Sequence, residues 1–419
     1  MKRRQFLSVS ALGAGSVLLS QCTRQTPSSQ PQPASGQSAA QPAGAGALPT
    51  VYTSTDGLLD LDLEASYQTI DINGRQATLM AYNGQVPGPR LEAKPGDTVR
   101  IRFTNNLPEP TNIHYHGLNI SHSGNADNVF LSVEPGETFA YEFAIPEDHP
   151  AGTFWYHPHR HGFVADQVFA GLSGFFVVRG ELDEIPEVQS ASEAFLALKD
   201  FQLNDEGQIA KPDRMAVMMG REGLLITTGG EVNPSLQIPT NGLLRLRLLN
   251  ASISRFYRLQ VEQHPLYLIA TDGGAISEPV EIEELLLVPG ERAEVLIRGD
   301  QAPGSYRLLN LPYDRGGMGM MGDGAMGGMD MSEGHSMENM NIDSSDAPAQ
   351  GESVPLATFN YSDGPAESTA LPTQLIPVET LPYPQNTRRL ELSMRMSFLK
   401  GMAFTINDKT YREGRTDIQ

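Results

Sequence analysis

The chain has 419 residues, room for two or three domains, and its 41 glycines and 30 prolines favour many short, turn-bounded strands over long helices. Fifty acidic residues against thirty basic ones give a formal net charge of −20, which disfavours nucleic acid or an anionic bilayer as partner because phosphate-rich surfaces would repel it. Cationic or neutral substrates fit such a surface better.

The start, "MKRRQFLSVSALGAGSVLLSQC" (1–22), sets a basic cluster before an apolar run over 9–19 that is too short for a stable membrane span. It reads as an export signal. Arg3 and Arg4 followed by Phe6 and Leu7 resemble the twin-arginine type, whose export machinery carries folded proteins; an ordinary secretory signal is the alternative. The expected destination is the periplasm or an equivalent lumen. Cys22, the sole cysteine, ends the signal, and Gln21 beside it is an awkward neighbour for lipid anchoring. No disulfide within the chain is possible, and no thiolate remains in the folded body. Residues 23–50 lack the apolar content to fold and read as a flexible linker.

Beyond the linker the chain repeats itself. "TVRIRFTNN" (98–106) alternates Val99, Ile101 and Phe103 with polar neighbours, and "LLRLRLLNA" (243–251) does the same with Leu244, Leu246 and Leu248. "VEPGETFAYEF" (133–143) is echoed by "LVPGERAEVLI" (287–297), and "AGTFWYHPH" (151–159) by "PGSYRLLNL" (303–311). Matched segments in one order indicate a duplicated sandwich. A third copy opens at "GMAFTINDKTYREG" (401–414), with Asn407 placed like Asn83 in "LMAYNGQVPGP". The reading is two complete sandwiches and a third that is cut short before any site-bearing strand.

The first copy carries histidines in "NIHYHGL" and "GTFWYHPHRHG". Residues i and i+2 of a strand share a face, so His114/His116 and His157/His159 each present two imidazoles side by side. The repeat offsets assign Leu259, Val261, Leu309 and Leu311 to the equivalent positions of the second copy. The fold therefore does not require imidazole there, and the pairs read as metal ligands. Imidazole suits zinc, copper, iron and nickel. Zinc hydrolases usually place an acid close behind His-x-His, whereas "GLNISHSG" follows here, so copper is preferred.

"NIHYHGL" and "GTFWYHPHRHG", in this order, resemble the first two copper signatures of the multicopper oxidases, a group including laccases and bacterial cuprous oxidases. The resemblance covers 51–419 and includes "YNGQVPGP", "GLSGFFVV" and "LPYDRGGMGM". It implies an all-β fold of consecutive cupredoxin-like Greek-key β-sandwich domains: domain one over 51–180, domain two over 181–365, and a linker with the start of a truncated domain three over 366–419. It implies that His114 binds a type 2 copper and that His116, His157 and His159 bind paired type 3 coppers. Asp127 in "GNADN" stands where the family has an acid that assists proton delivery, though its usual glycine follower is Asn128 here; a solvated loop acid is the alternative. His122, His149, His161 and His264 fall outside the ligand pattern and read as supporting or surface residues.

The family oxidises a donor, Cu(I) or phenolic, at a type 1 copper and reduces dioxygen to water at a trinuclear cluster. The type 1 thiolate and the remaining cluster histidines are absent from this sequence, since after His161 only His264 and His335 occur. The chain by itself is therefore expected to be inactive. Residues 318–340 hold Met318, Met320, Met321, Met326, Met329, Met331, Met337 and Met340 among glycines and acids, without helix or strand period. Thioethers prefer Cu(I), so the run reads as a copper-capture loop with His335 assisting. A non-catalytic exported copper-binding protein is the rival from another class. A two-domain nitrite reductase would need a cysteine in its first domain, and a copper-free cell-division relative would have no reason to keep all four histidines.

Overall fold

The computed structural model describes residues 49–213, 216–217, 220–314, 352–362, 370–379, 382–397 and 401–410. Residues 1–22, expected to be a signal and ending in Cys22, nearly all of 23–50, and the methionine-rich run 318–340 lie outside the described residues.

The first half of the chain runs β1 (Val51–Thr53), β2 (Leu58–Ile72), β3 (Arg75–Tyr82), β4 (Arg90–Ala93), β5 (Thr98–Asn105), β6 (His114–His116), β7 (Thr138–Ala144), β8 (Gly152–His157), α1 (Val164–Phe169) and β9 (Gly174–Val178). From β4 to β8 the chain alternates between two sheets, ordered β1-β4-β9-β8-β6 and β3-β2-β5-β7, so β4 and β9, like β2 and β5, become parallel neighbours. One apolar core fills the space between them, with Leu61 and Leu63 of β2, Ile101 and Phe103 of β5, Tyr115 of β6 and Phe154 and Tyr156 of β8. On β5 the alternation is as expected: Val99, Ile101 and Phe103 are buried while Arg100 and Arg102 face solvent.

The second half adds α2 (Glu181–Glu184), α3 (Pro186–Gln189), β10 (Ser192–Phe201), β11 (Leu225–Thr228), β12 (Ser235–Pro239), β13 (Leu243–Asn250), β14 (Tyr257–Val261), β15 (Leu266–Thr271), β16 (Gly274–Ile282), β17 (Leu285–Leu287), β18 (Arg292–Arg298), β19 (Ser305–Leu311) and β20 (Val354–Ser362). These form sheets ordered β11-β10-β13-β18-β15-β16 and β12-β20-β19-β14-β17 around a second core. The pairing of β13 with β18 repeats that of β5 with β7, and that of β14 with β19 repeats that of β6 with β8.

Two features of the second copy differ from the first. The alternation on β13 is not a buried face against a solvated one, because all eight residues are buried. Its outer face packs against β8 and β9 of the first sandwich, where Trp155 and Phe175 meet Ala197, Leu249 and Ala251. Arg245 and Arg247 lie in that same layer, in an ion lattice. Arg247 contacts Glu193 (2.6 Å), Glu294 (2.7 Å) and Asp183 (2.6 Å), and its Nη1 donates to Thr153 Oγ1 on β8 (3.0 Å). Arg245 pairs with Glu294 at 2.6 Å, and Arg179 bridges Glu92 and Glu193. Buried charges persist only when paired in this way.

The second corrects the assignment of Leu259 and Val261 to the places of His114 and His116, because the repeat offset slips by one residue at β14. Leu259 and Val261 point into the second core, as Tyr115 does in the first, and Arg258 and Gln260 occupy the outward face. A one-residue slip reverses strand face. The outward face of the second copy still carries no imidazole.

A hairpin, β21 (Leu392–Ser397) with β22 (Gly401–Ile406), follows. Its turn matches that of β3. Asn83 and Asn407 have φ of 48° and 50°, and each accepts through its side chain from, and donates its own N–H to, one glutamate backbone, Glu64 and Glu391 respectively.

Candidate metal centre

Strands β6 and β8 are antiparallel neighbours, with His114 opposite His157 and His116 opposite Trp155. Tyr115, Phe154 and Tyr156 go into the first core, so the strand period sends His114, His116, Trp155 and His157 to the outer face. That face is the one that meets the second sandwich. The three histidines form the metal-competent group found among the described residues, with ligand atoms all within 4.8 Å of one another.

His157 Nδ1 donates to Pro158 O (2.9 Å), which fixes the tautomer and leaves Nε2 as a lone pair 3.2 Å from His116 Nδ1. Two nitrogens bound to one tetrahedral ion at about 2.0 Å stand about 3.3 Å apart, so this spacing fits a shared ion. Burial holds His157 well below the ordinary imidazole range. Burial, followed by the positive charge of Arg292, brings His116 down to about 4. Both rings are therefore neutral near pH 7, the form that ligates metals. The indole of Trp155 stacks on His157 at 4.0 Å and walls off His116 at 5.1 Å.

Asp127 is not a solvated loop acid. Its carboxylate accepts from His114 Nδ1 (2.8 Å) and from the Tyr115 N–H (2.9 Å), leaving His114 Nε2 turned to the cradle. A carboxylate behind a ligand histidine fixes the ring and raises its basicity. His159, past the end of β8, is exposed; its ring centroid is 5.1 Å from that of His114, and its N–H donates to Asn112 Oδ1 (2.7 Å). It borders the cluster without joining the three that converge most closely.

Of the other histidines, His122 and His161 are exposed. His149 is buried, donating through Nδ1 to Pro150 O and accepting the Asn119 N–H at Nε2, and buried His264 meets Tyr361 Oη at 2.8 Å. Both are fixed structural groups rather than surface residues.

Two multicopper oxidase family models match residues 64–183 and 196–320, together more than half the chain. The chain belongs to the multicopper oxidase family. Its fold is the consecutive cupredoxin-like sandwich of that family. Among curated relatives, the chain is 30% identical to the cell division protein FtsP of Photorhabdus laumondii over 304 residues, 70% of this chain and 59% of that one. It is 33% identical to the multicopper oxidase mco of Staphylococcus epidermidis over 223 residues, 52% of this chain and 48% of the relative. The chain thus spans between about half and three-fifths of the length of these relatives. A solved multicopper oxidase of Campylobacter jejuni superposes with a TM-score of 0.71 at 28% identity, over 89% of this chain and 74% of the other.

Residues that sequence reasoning passed over also build the site. Asn112, fully buried, donates to Val129 O and Leu131 O while accepting from His159 N–H, so it ties the downstream motif to the loop after the upstream one. An asparagine two places before a ligand strand was a readable signal. Gly290 and Arg292 come from the second sandwich, and nothing local in their sequence points to a histidine some 170 residues earlier.

Proposed function

We propose that this multicopper oxidase chain contributes a copper site at which an electron donor, Cu(I) or phenol-like, is oxidised and dioxygen is reduced to water. The observation that carries the reading is the convergence of His114, His116 and His157 on the outer face of β6 and β8. His114 is assigned the type 2 ion, and His116, His157 and His159 the type 3 pair, with His116 and His157 sharing one ion. Bound copper would supply the one-electron chemistry that links donor to dioxygen. The chain's own residues present neutral nitrogens, hold His114 through Asp127, and exclude water with the face of Trp155. Asp127 is also assigned assistance in proton delivery, the role that its place after the first histidine motif implies.

The methionines of 318–340 are assigned to Cu(I) capture, which favours a metal-ion donor; the similar Campylobacter jejuni protein is a metallo-oxidase. The Arg3–Arg4 signal supports twin-arginine export to the periplasm. Among the described residues no helix is long and apolar enough to cross a membrane. We take 51–180 and 181–365 as two cupredoxin-like domains and 366–419 as a linker with the opening of a third, on the shared geometry of Asn83 and Asn407.

Cys22 is the sole cysteine and lies in the signal, so this sequence holds no thiolate for a type 1 site in its folded body. That observation, with the likeness to cell division proteins, favours a second reading: a non-catalytic exported protein that sequesters copper. Dioxygen uptake by the copper-loaded 419-residue chain, with Cu(I) or a phenol as donor, tests the second reading in one direction, since the first expects the chain alone to bind copper without turning over. Copper binding without sustained uptake and without an intense thiolate-to-copper band is expected of this chain alone. Sustained uptake would sink the sequestration reading, and a chain that binds no copper would sink both.

A further inference from the structure

Strand β6 is three residues long and lies at the edge of its sheet, paired only with β8. Half of its backbone therefore lacks a neighbouring strand to fix it, yet it carries two of the three converging imidazoles. Arg292, at the start of β18 in the second sandwich, reaches β8 and the residue that follows β6. Its Nε donates to Thr153 O on β8 (3.2 Å). Its Nη2 packs on Gly117, the residue after His116, so closely that a Cβ at Gly117 would lie 2.5 Å from it. Gly117 also has φ +90°, a conformation that favours glycine.

The rest of the guanidinium is anchored within its own sandwich. Nη1 donates to Gly290 O (3.0 Å) and pairs with Asp272 Oδ1 (2.7 Å), and Nη2 donates to Asp272 O (3.0 Å). Gly290 itself stands against the His116 ring, where a Cβ would be 3.3 Å from Cε1. With only 3% of its side chain exposed, Arg292 has its donors directed at fixed acceptors on three separate segments. A planar fork can satisfy such a set; a lysine ammonium cannot span it.

We propose that Arg292 is a positioning residue that sets the separation of His116 and His157 by tying β6 and β8 to the second sandwich. The consequence for metal binding rests on the copper reading above, but the positioning itself does not need metal. Thr153 adds a second tie on the same strand, since its hydroxyl sits between Arg247 and Glu294. The fork of Arg292 holds the already paired β6 and β8 against the second sandwich from both sides, at Gly117 and at Thr153.

The test uses the full chain with 15N-labelled histidine and long-range proton–nitrogen spectra of the metal-free protein. Arg292→Lys, which keeps the charge and loses the fork, should shift the ring signals of His116 and His157 and leave those of His149 and His264 in place. Gly117→Ala, which forces Arg292 away, should reproduce the pattern. Co(II) used as probe should bind the Arg292→Lys protein at least about tenfold more weakly, in the range found for residues that orient ligands. Unchanged ring signals with unchanged Co(II) affinity in Arg292→Lys would overturn the proposal, and so would equal shifts at all four histidines, which mark general loosening. Because the ring signals are read without metal, a wild-type chain that failed to bind copper would sink the copper reading and not this one.

Discussion

His157 Nε2 lies 3.2 Å from His116 Nδ1, with the opposite nitrogen of His157 tied to Pro158 O. His157 Nε2 is therefore the acceptor and His116 Nδ1 the donor, and with the His116 proton moved to Nε2 both nitrogens could hold one ion across that gap. Replacing either ring by alanine should weaken Cu(II) binding at the cradle by more than about 100-fold. Asp127→Asn, which keeps shape but loses the charge behind His114, should cost about 10–100-fold. Competition titration against a calibrated chelator reads both, and equal affinities for wild type and His157→Ala would exclude the ring from the site.

The ion lattice between the sandwiches makes a separate prediction about stability. Glu294 is 1% exposed and neutralises both Arg245 and Arg247, which are themselves buried. Glu294→Ala would leave two guanidiniums short of a partner and should destabilise the fold by about 3–5 kcal/mol. Denaturant unfolding of the metal-free chain measures it, and a loss under about 1 kcal/mol would show that the lattice is surface-like in energy.

The same lattice fixes a pH dependence. Burial alone would raise the Glu193 carboxyl, but Arg179 and Arg247 prevail and pull it down to about 2 from 4.5. A carboxylate depressed in the folded state contributes stability that is complete above the unfolded value and is lost as pH falls through the folded one. The window is pH 4.5 down to about 2, and the contribution is about 3 kcal/mol. Burial lowers the pKa of His149 below its ordinary 6.5, so its neutral form stabilises the fold above that pH and the contribution fades as the medium is acidified. Glu193→Gln should flatten the low-pH part of the stability curve and leave the part that begins near 6.5. An unchanged curve below pH 4.5 would contradict the assignment.

Much of this was legible because a strand has a period of two. The spacing of His114/His116 announced one face, and the hydrophobic alternation of β5 announced which face was solvent; the same spacing misplaced His159, because β8 ends at His157. The same alternation at β13 does not mark a solvated face, since Arg245 and Arg247 are buried. A sheet covered on both sides leaves no local mark when its outer layer is built from paired charges. The offset that placed Leu259 opposite His114 failed by one residue, because loop lengths differ between the copies and sequence echoes do not count them. The clamp by Arg292 was illegible in principle, since it joins segments brought together only by the packing of one sandwich on the other.

The methionines of 318–340 give a prediction that is independent of the cradle. Deleting 318–340 should weaken Cu(I) binding at least about tenfold, because soft thioethers prefer the cuprous ion, and should leave the unfolding midpoint unchanged, because a glycine-rich run contributes little core. Cu(I) competition titration and thermal unfolding on the same sample check the two halves. An unaltered Cu(I) affinity would remove the run from the copper assignment.

The most direct test of the copper reading is electron paramagnetic resonance of the Cu(II)-loaded 419-residue chain with 14N- and 15N-labelled histidine. Nitrogen superhyperfine coupling that changes with the label and disappears in a His114→Ala/His116→Ala/His157→Ala protein is the predicted result. Coupling that survives in the triple variant, or a wild-type spectrum without histidine nitrogen, would contradict it.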